Sequence, residues 1–308
     1  MPDSLNLPKL KFQKTLENVV HCDGVGLHSG NQVNMSVFPA EPNEGISFVR
    51  KDLSGNPVIK AFYKNVYDTN LGTSLENKEG IKVKTVEHLM AAFMGLGIDN
   101  AKVILSAEEV PIMDGSSQDF LNLFIKAGIK EQFVVKKVIK VIKSFSVSEG
   151  NCSISVVPSQ NFIVDYKIDF SDKAIGVQNL KLNICSDVFK RDVGSARTFG
   201  MLSEVKNMHK HGLALGGSID NAIVVDDGHI LNPEGLRYQD EFVRHKILDF
   251  CGDIYLAGYT FEGSFNAICA GHKLNNKFLF DFLDKTENYE IIESVVINKD
   301  KETTLAVA

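Results

Sequence analysis

The sequence predicts an α+β fold of two similar units, each a layer of strands backed by helices, and three observations carry that prediction. Strand-like and helix-like stretches come in blocks instead of strict alternation, which favours separate layers over a doubly wound parallel sheet. Each half runs through several short strands, a helix opening near a histidine, glycines, one strand and a final amphipathic helix, with His88 and His245 in similar places. That order suggests an internal duplication whose two units face each other. A length of 308 residues accommodates two domains, and an apolar content of 44% allows well-filled cores. The units are expected at residues 1–132 and 133–308, joined within the charged stretch Lys130–Lys137.

In the first unit, alternating segments from Leu16 to Ala40 flank Gly24-Val25-Gly26-Leu27-His28-Ser29-Gly30, read as a turn between strands. Its glycine spacing does not match the dinucleotide fingerprint, and no strand-to-helix context follows. Short strands are expected at Gly45–Arg50 and Val58–Phe62, and Lys82–Val86 leads into a helix from Glu87. Leu89, Met90, Ala92 and Phe93 give that helix an apolar side, and Gly95 and Gly97 stop it. Asn100–Ser106 reads as a strand. Gly115-Ser116-Ser117 opens a second helix with Phe120, Leu121, Leu123, Phe124 and Ile125, ended by Ala127-Gly128.

Beyond the join, β-branched alternation marks strands at Val138–Val147, Cys152–Val157 and Phe162–Phe170. Met201–His211 reads as a short polar helix. Asp227-Gly228 favours a tight hairpin between Ala222–Val225 and His229–Leu231. Glu241–Leu256 is the central helix of this unit, followed by a strand at Ser264–Ala270 and a last helix at Leu274–Leu283. The polar tail after Glu287 carries no motif.

The net charge of -6 and the absence of a long basic run give no footprint for nucleic acid. The start of the chain lacks a signal-like apolar region, and no stretch approaches about 18 uninterrupted apolar residues. The expectation is a soluble, cytoplasmic protein acting on a small ligand. Five cysteines, an odd number without C-x-x-C spacing, fit reduced thiols.

The chemistry concentrates on the helix from Glu241. His245, Asp249 and Asp253 stand four apart and stack on one face, among Phe242, Val243, Ile247, Leu248, Phe250, Cys251 and Ile254. Carboxylates in such surroundings cost several kcal/mol unless paired, hydrogen-bonded or bound to a cation. His245 and Asp249 make a two-ligand clip for a catalytic metal, which needs three protein ligands and an open position. The third could be any of the other seven histidines. His88 is the most economical, because adjacent helical residues point about 100° apart, so Glu87 would reach a metal-bound water while His88 holds the ion.

An isolated H-x-x-x-D is more often a surface pair or a satisfied core histidine. His272, at a strand-to-helix corner, is a candidate acid with Asp253 as its support, or simply a cap of the last helix. Lys246 is either a contact for an anionic substrate or solvated. On composition, Ser195–Gly200 is a loop, Met113–Ser116 a helix opening, and Asp169-Phe170 a strand end.

Taken together these residues resemble a known family, the bacterial zinc-dependent UDP-3-O-acyl-N-acetylglucosamine deacetylases of lipid A synthesis. The resemblance runs from about Lys14 to Leu283. It rests on Gly24-Val25-Gly26-Leu27-His28, Thr85-Val86-Glu87-His88-Leu89, Gly97-Ile98-Asp99-Asn100 and Pro111-Ile112-Met113-Asp114-Gly115. Ala196-Arg197-Thr198-Phe199-Gly200, Leu215-Gly216-Gly217-Ser218, Glu241-Phe242-Val243-Arg244-His245-Lys246, and Gly271-His272 with Leu274-Asn275-Asn276-Lys277 complete it in family order.

The resemblance implies two similar layered domains with the active site between them, and a monomer. It implies one catalytic Zn2+, with Fe2+ as the alternative ion in the cell, on His88, His245 and Asp249. It makes Glu87 the base, Thr198 the oxyanion donor, His272 the acid and Asp253 its support. Lys246 and Asp169 would contact the polar part of the UDP-sugar, and Phe170 would stack on uracil. Phe199 and the segment from Gly200 to Leu231, with Leu213 and Val224, would form a passage for the acyl chain, and Leu27 joins the substrate contacts. Some members carry a cysteine that binds inhibitory zinc where this chain has Gly72, so that ligand is missing here. A zinc hydrolase of another amide, or a binding module with a structural metal, are the alternatives. Structural zinc usually has four protein ligands, often cysteines, and this site offers three with no nearby thiol.

Overall fold

Two mixed sheets, one from each half of the chain, repeat a single strand plan beside two buried helices; the computed structural model describes residues 9–296. In the first sheet the order is Val20–Val25, Gln32–Pro39, Ala101–Leu105, Ile46–Arg50, Val58–Lys60. Ala101–Leu105 is antiparallel to Gln32–Pro39 and parallel to Ile46–Arg50. In the second half, Thr260–Ile268 is antiparallel to Cys152–Val157, which pairs with Phe145–Glu149, and parallel to Phe162–Asp169, which pairs with Val177–Asn183. The same hairpins flank the same central strand in both. A duplicated unit explains this match.

The helices follow the same plan. Helix α1 (Glu87–Leu96) precedes the central strand of the first sheet and α2 (Gln118–Ala127) follows it. Helix α5 (Glu241–Tyr255) and α6 (His272–Leu283) do so in the second. Every residue of α1 is buried, and in α5 all except Arg244 and Lys246. A helix apolar nearly all round is stable only when covered on all sides, and here α1 and α5 cover each other. Gly252 allows the close crossing: a Cβ there would sit 2.0 Å from the carbonyl oxygen of Glu87. Gly97 ends α1 in the left-handed conformation, φ 70°. Gly95, expected as part of the stop, lies inside the helix, where a Cβ would collide with the ring of Phe189.

Several stretches differ from the sequence reading. Val138–Val147 is two strands, Lys137–Val141 and Phe145–Glu149, which sit on opposite sides of Thr260–Ile268. The charged join is itself a strand, Ile129–Val135, antiparallel to Phe12–Leu16 with a register shift between Glu131 and Val135. The tail after Glu287 supplies Tyr289–Glu293, which pairs with Lys137–Val141. Helix α3 (Ser186–Asp192) spans only seven residues, too few for periodicity to reveal. The short polar helix is α4 (Leu202–Lys210), and with the small sheet of Phe199–Met201, Ile223–Asp226 and His229–Ile230 it forms the insert. Asp227 and Gly228 turn its hairpin at φ 46° and 78°. The first eight and last twelve residues of the chain lie outside the described residues, and with them parts of the readings of the chain start and the tail.

Candidate active site

The start of α1, the middle of α5 and the start of α6 converge. His88 Nε2 and His245 Nε2 lie 3.4 and 3.2 Å from Asp249 Oδ1, and the two imidazoles meet edge to face with centroids 5.0 Å apart. One ligand atom from each of the three residues falls within 4.8 Å of the others. All three side chains are buried. Asp249 Oδ1 makes no hydrogen bond despite its depth, an expensive state for a carboxylate oxygen unless a cation occupies the space it shares with the two nitrogens. The donor set, two imidazoles and one carboxylate, fits a divalent ion of the Zn2+ or Fe2+ kind.

Ligand preparation is visible around the trio. His245 Nδ1 lies 3.0 Å from the carbonyl oxygen of Ala196, which fixes the tautomer with the proton on Nδ1 and the lone pair on Nε2. Burial pushes the His245 pKa down to about 3, so the ring is neutral and could bind a cation through Nε2. Burial alone would raise Asp249, but the Lys246 ammonium that donates to it holds it well below the usual carboxylate range. Lys246 Nζ donates to Asp249 Oδ2 at 2.8 Å and lies 5.5 Å from the centroid of the Phe199 ring.

Glu87 is buried at the first turn of α1, and burial raises its pKa against the opposing pull of His272 and His88. Its Oε2 accepts the backbone N–H of Thr73 at 2.9 Å. Gly72 leaves room beside it, since a Cβ there would stand 3.0 Å from Glu87 Oε1. Opposite, His272 Nδ1 donates to Asp253 Oδ2 at 2.8 Å, leaving Nε2 on the side of Asp249, whose Oδ2 is 3.9 Å away. Burial would lower the His272 pKa, but Asp253 outweighs it and raises it to about 9. Asp253 also accepts from Asn275 Nδ2 at 2.8 Å and from the Thr73 hydroxyl at 2.5 Å. A buried carboxyl group and a cationic imidazole thus stand on two sides of the histidine–carboxylate trio.

The loop before the insert packs on His245. Ala196 holds the imidazole, and the Phe199 ring lies 6.2 Å from it, 4.9 Å from Phe242 and 5.5 Å from Phe170. Thr198 lies between them; its N–H donates to the carbonyl of Gly115 and its own carbonyl accepts from Ile223, which ties the loop to both halves. Buried Arg197 anchors it: its backbone N–H and Nε donate to Glu241 Oε1 at 3.0 and 2.9 Å, and Nη1 to Glu234 at 2.5 Å. Asp169 is exposed at its strand end, next to Phe170.

Leu27 reaches the insert through its carbonyl, which accepts Gly216 N–H at 3.0 Å. Leu213 lines a groove of about 490 Å³ with Leu71 and Met208 between α4 and the Asn70 loop. Val224 lies in the small sheet, opposite Gly200. Sequence reasoning missed Thr73, Asn275 and the Arg197–Glu241 pair. Each acts through a contact distant in sequence, and the motifs around Arg197, Glu241 and Asn275 carried the only signal.

A family model described as UDP-3-O-acyl N-acetylglycosamine deacetylase matches residues 13–284. The chain is 44% identical over 283 residues to proteins named UDP-3-O-acyl-N-acetylglucosamine deacetylase from Shewanella baltica (strain OS155 / ATCC BAA-1091) and from Shewanella oneidensis. Each comparison covers 91% of this chain and 92% of the relative.

Proposed function

Because the chain belongs to the UDP-3-O-acyl N-acetylglycosamine deacetylase family, we propose that the cluster at the α1–α5 crossing is where it removes acetate from its substrate. The protein is a deacetylase of lipid A synthesis. Its substrate is a UDP-linked glucosamine carrying a 3-O-acyl chain, and its products are the free amine and acetate. The observation that carries the assignment of the site is the unpartnered Asp249 Oδ1 facing two imidazole nitrogens.

His88, His245 and Asp249 would hold one ion, Zn2+ by donor type with Fe2+ as the cellular alternative. Such an ion supplies Lewis acidity and lowers the pKa of a water to about 7. Glu87, anchored by Thr73 N–H, takes the proton of the attacking water. Thr198 donates to the developing oxyanion, an interaction of a few kcal/mol in such sites. His272, cationic through Asp253, gives its Nε2 proton to the departing nitrogen.

Lys246 and Asp169 bind the polar part of the UDP-sugar, and Phe170 stacks on uracil. Phe199, Leu27, Leu213 and Val224 guide the acyl chain, supported by the groove beside Leu213. We propose two domains, a division supported by the repeated strand plan, with the join expected at 132–133 carried by the strand Ile129–Val135, which pairs with Phe12–Leu16 of the first unit, and take the protein to act as a cytoplasmic monomer. None of the described helices is long and apolar enough to cross a membrane.

The test is acetate release from the UDP-sugar with defined acyl chains, before and after metal removal. Turnover is expected to stop on chelation, to return with Zn2+, and to depend on the 3-O-acyl group. Turnover unaffected by complete metal removal would overturn the metal site, and indifference to the acyl group would overturn the passage.

A further inference from the structure

Thr73 is buried, 2% exposed, at the place where the two halves meet. Its backbone N–H donates to Glu87 Oε2 at 2.9 Å, and its carbonyl accepts the Val86 N–H at 3.1 Å, so it lies along the first turn of α1. Its hydroxyl donates to Asp253 Oδ1 at 2.5 Å, across 180 residues of sequence. The other oxygen of Asp253 accepts from both His272 Nδ1 and Asn275 Nδ2. The hydroxyl is also 3.3 Å from His272 Nδ1. It carries a single proton, and the shorter contact to a carboxylate takes it.

From this geometry we infer that Thr73 is a positioning residue that locks the catalytic base and the catalytic acid to one another. Its N–H fixes Glu87, and its hydroxyl fixes the plane of the Asp253 carboxylate and, through it, the ring of His272. With both of its other donors on Oδ2, the carboxylate would be free to tilt, and the His272 ring would tilt with it. Partners of this kind are typically worth about 10- to 100-fold in activity, and misplacing a reacting group by an ångström costs about 100-fold. The inference rests on the roles given above to Glu87 and His272.

A threonine that merely filled space would affect folding but would not link turnover to its hydroxyl. Thr73→Val keeps the shape and the backbone N–H while removing the hydroxyl, whereas Thr73→Ser keeps the hydroxyl. The expected result is a kcat about 10- to 100-fold lower in T73V with KM within about twofold, and T73S within about threefold of wild type. Metal content should be equal in all three. Wild-type kcat in T73V, equal damage in T73S, or a loss confined to KM would overturn the inference.

If T73V does not fold, the wild-type chain itself decides. The Thr73 hydroxyl proton is expected as a slowly exchanging NMR resonance with a nuclear Overhauser contact to the His272 ring, and fast solvent exchange would count against the clamp. Glu87→Gln separates the two levels of argument. If it is inactive while T73V is fully active, only the role of Thr73 fails; if it is active, the assignment of the base fails.

Discussion

Glu87→Gln keeps the shape of the side chain and its contact with Thr73 N–H, but cannot accept a proton. Turnover is expected to fall by about 10²- to 10⁴-fold with metal content unchanged by elemental analysis; wild-type turnover would mean that another group is the base. The paired groups also set the pH response. Glu87, raised by burial, is lost as a base when pH falls, and His272, raised to about 9, is lost as an acid when pH rises, so kcat should follow a bell. In the metal-free chain the raised value of His272 is a stability contribution as well. The ordinary value is 6.5, so the contribution is fully present below about 6.5 and disappears as pH rises through about 9. The melting temperature of the metal-free protein should therefore fall across that window, and His272→Gln should flatten the fall; an unchanged slope would show that Asp253 does not hold a proton on His272.

Helix α5 shows what was legible. Its stripe of His245, Asp249 and Asp253 announced itself because charged groups at helical spacing conflict with the apolar residues around them, and the structure brings His88, Glu87 and His272 from other elements to that stripe. The duplicated order of elements was legible for the same reason, since hydrophobic periodicity is local. Thr73 and the Arg197–Glu241 anchor were not, because hydrogen bonds between residues 44 to 180 positions apart leave no periodic trace. The strand Ile129–Val135 was hidden by its charges: Lys130 and Glu131 are exposed, so alternation of apolar residues is faint there.

Two substitutions test how the elements are held. Gly252→Ala puts a Cβ on the backbone of Glu87, where nothing flexible can yield, and is expected to destabilise by about 1–3 kcal/mol or more while lowering kcat. A variant with both wild-type stability and activity would mean that the helices do not cross this closely. Arg197→Met leaves Glu241 buried and deprived of the guanidinium it pairs with, a loss of about 3–5 kcal/mol in such pairs that a denaturant titration would read.

At the scale of the molecule, the proposed metal ties the halves together, with one ligand from α1 and two from α5. A bound ion in thousandfold excess over its Kd stabilises by about 4 kcal/mol, so chelation should lower the melting temperature by roughly 5–15 °C. His88→Ala should melt at the same temperature with or without chelator; a retained difference would place the ion elsewhere. The α1–α5 crossing has a further consequence. Half of the machinery is translated some 150 residues after the other half, as the distance from His88 to His245 shows. With the site proposed at this crossing, hydrolysis would report that both units are complete and docked. A nascent or partly unfolded chain would be chemically silent, because His88 would not yet have met His245 and Asp249, and the architecture would itself check that the chain is finished before it acts.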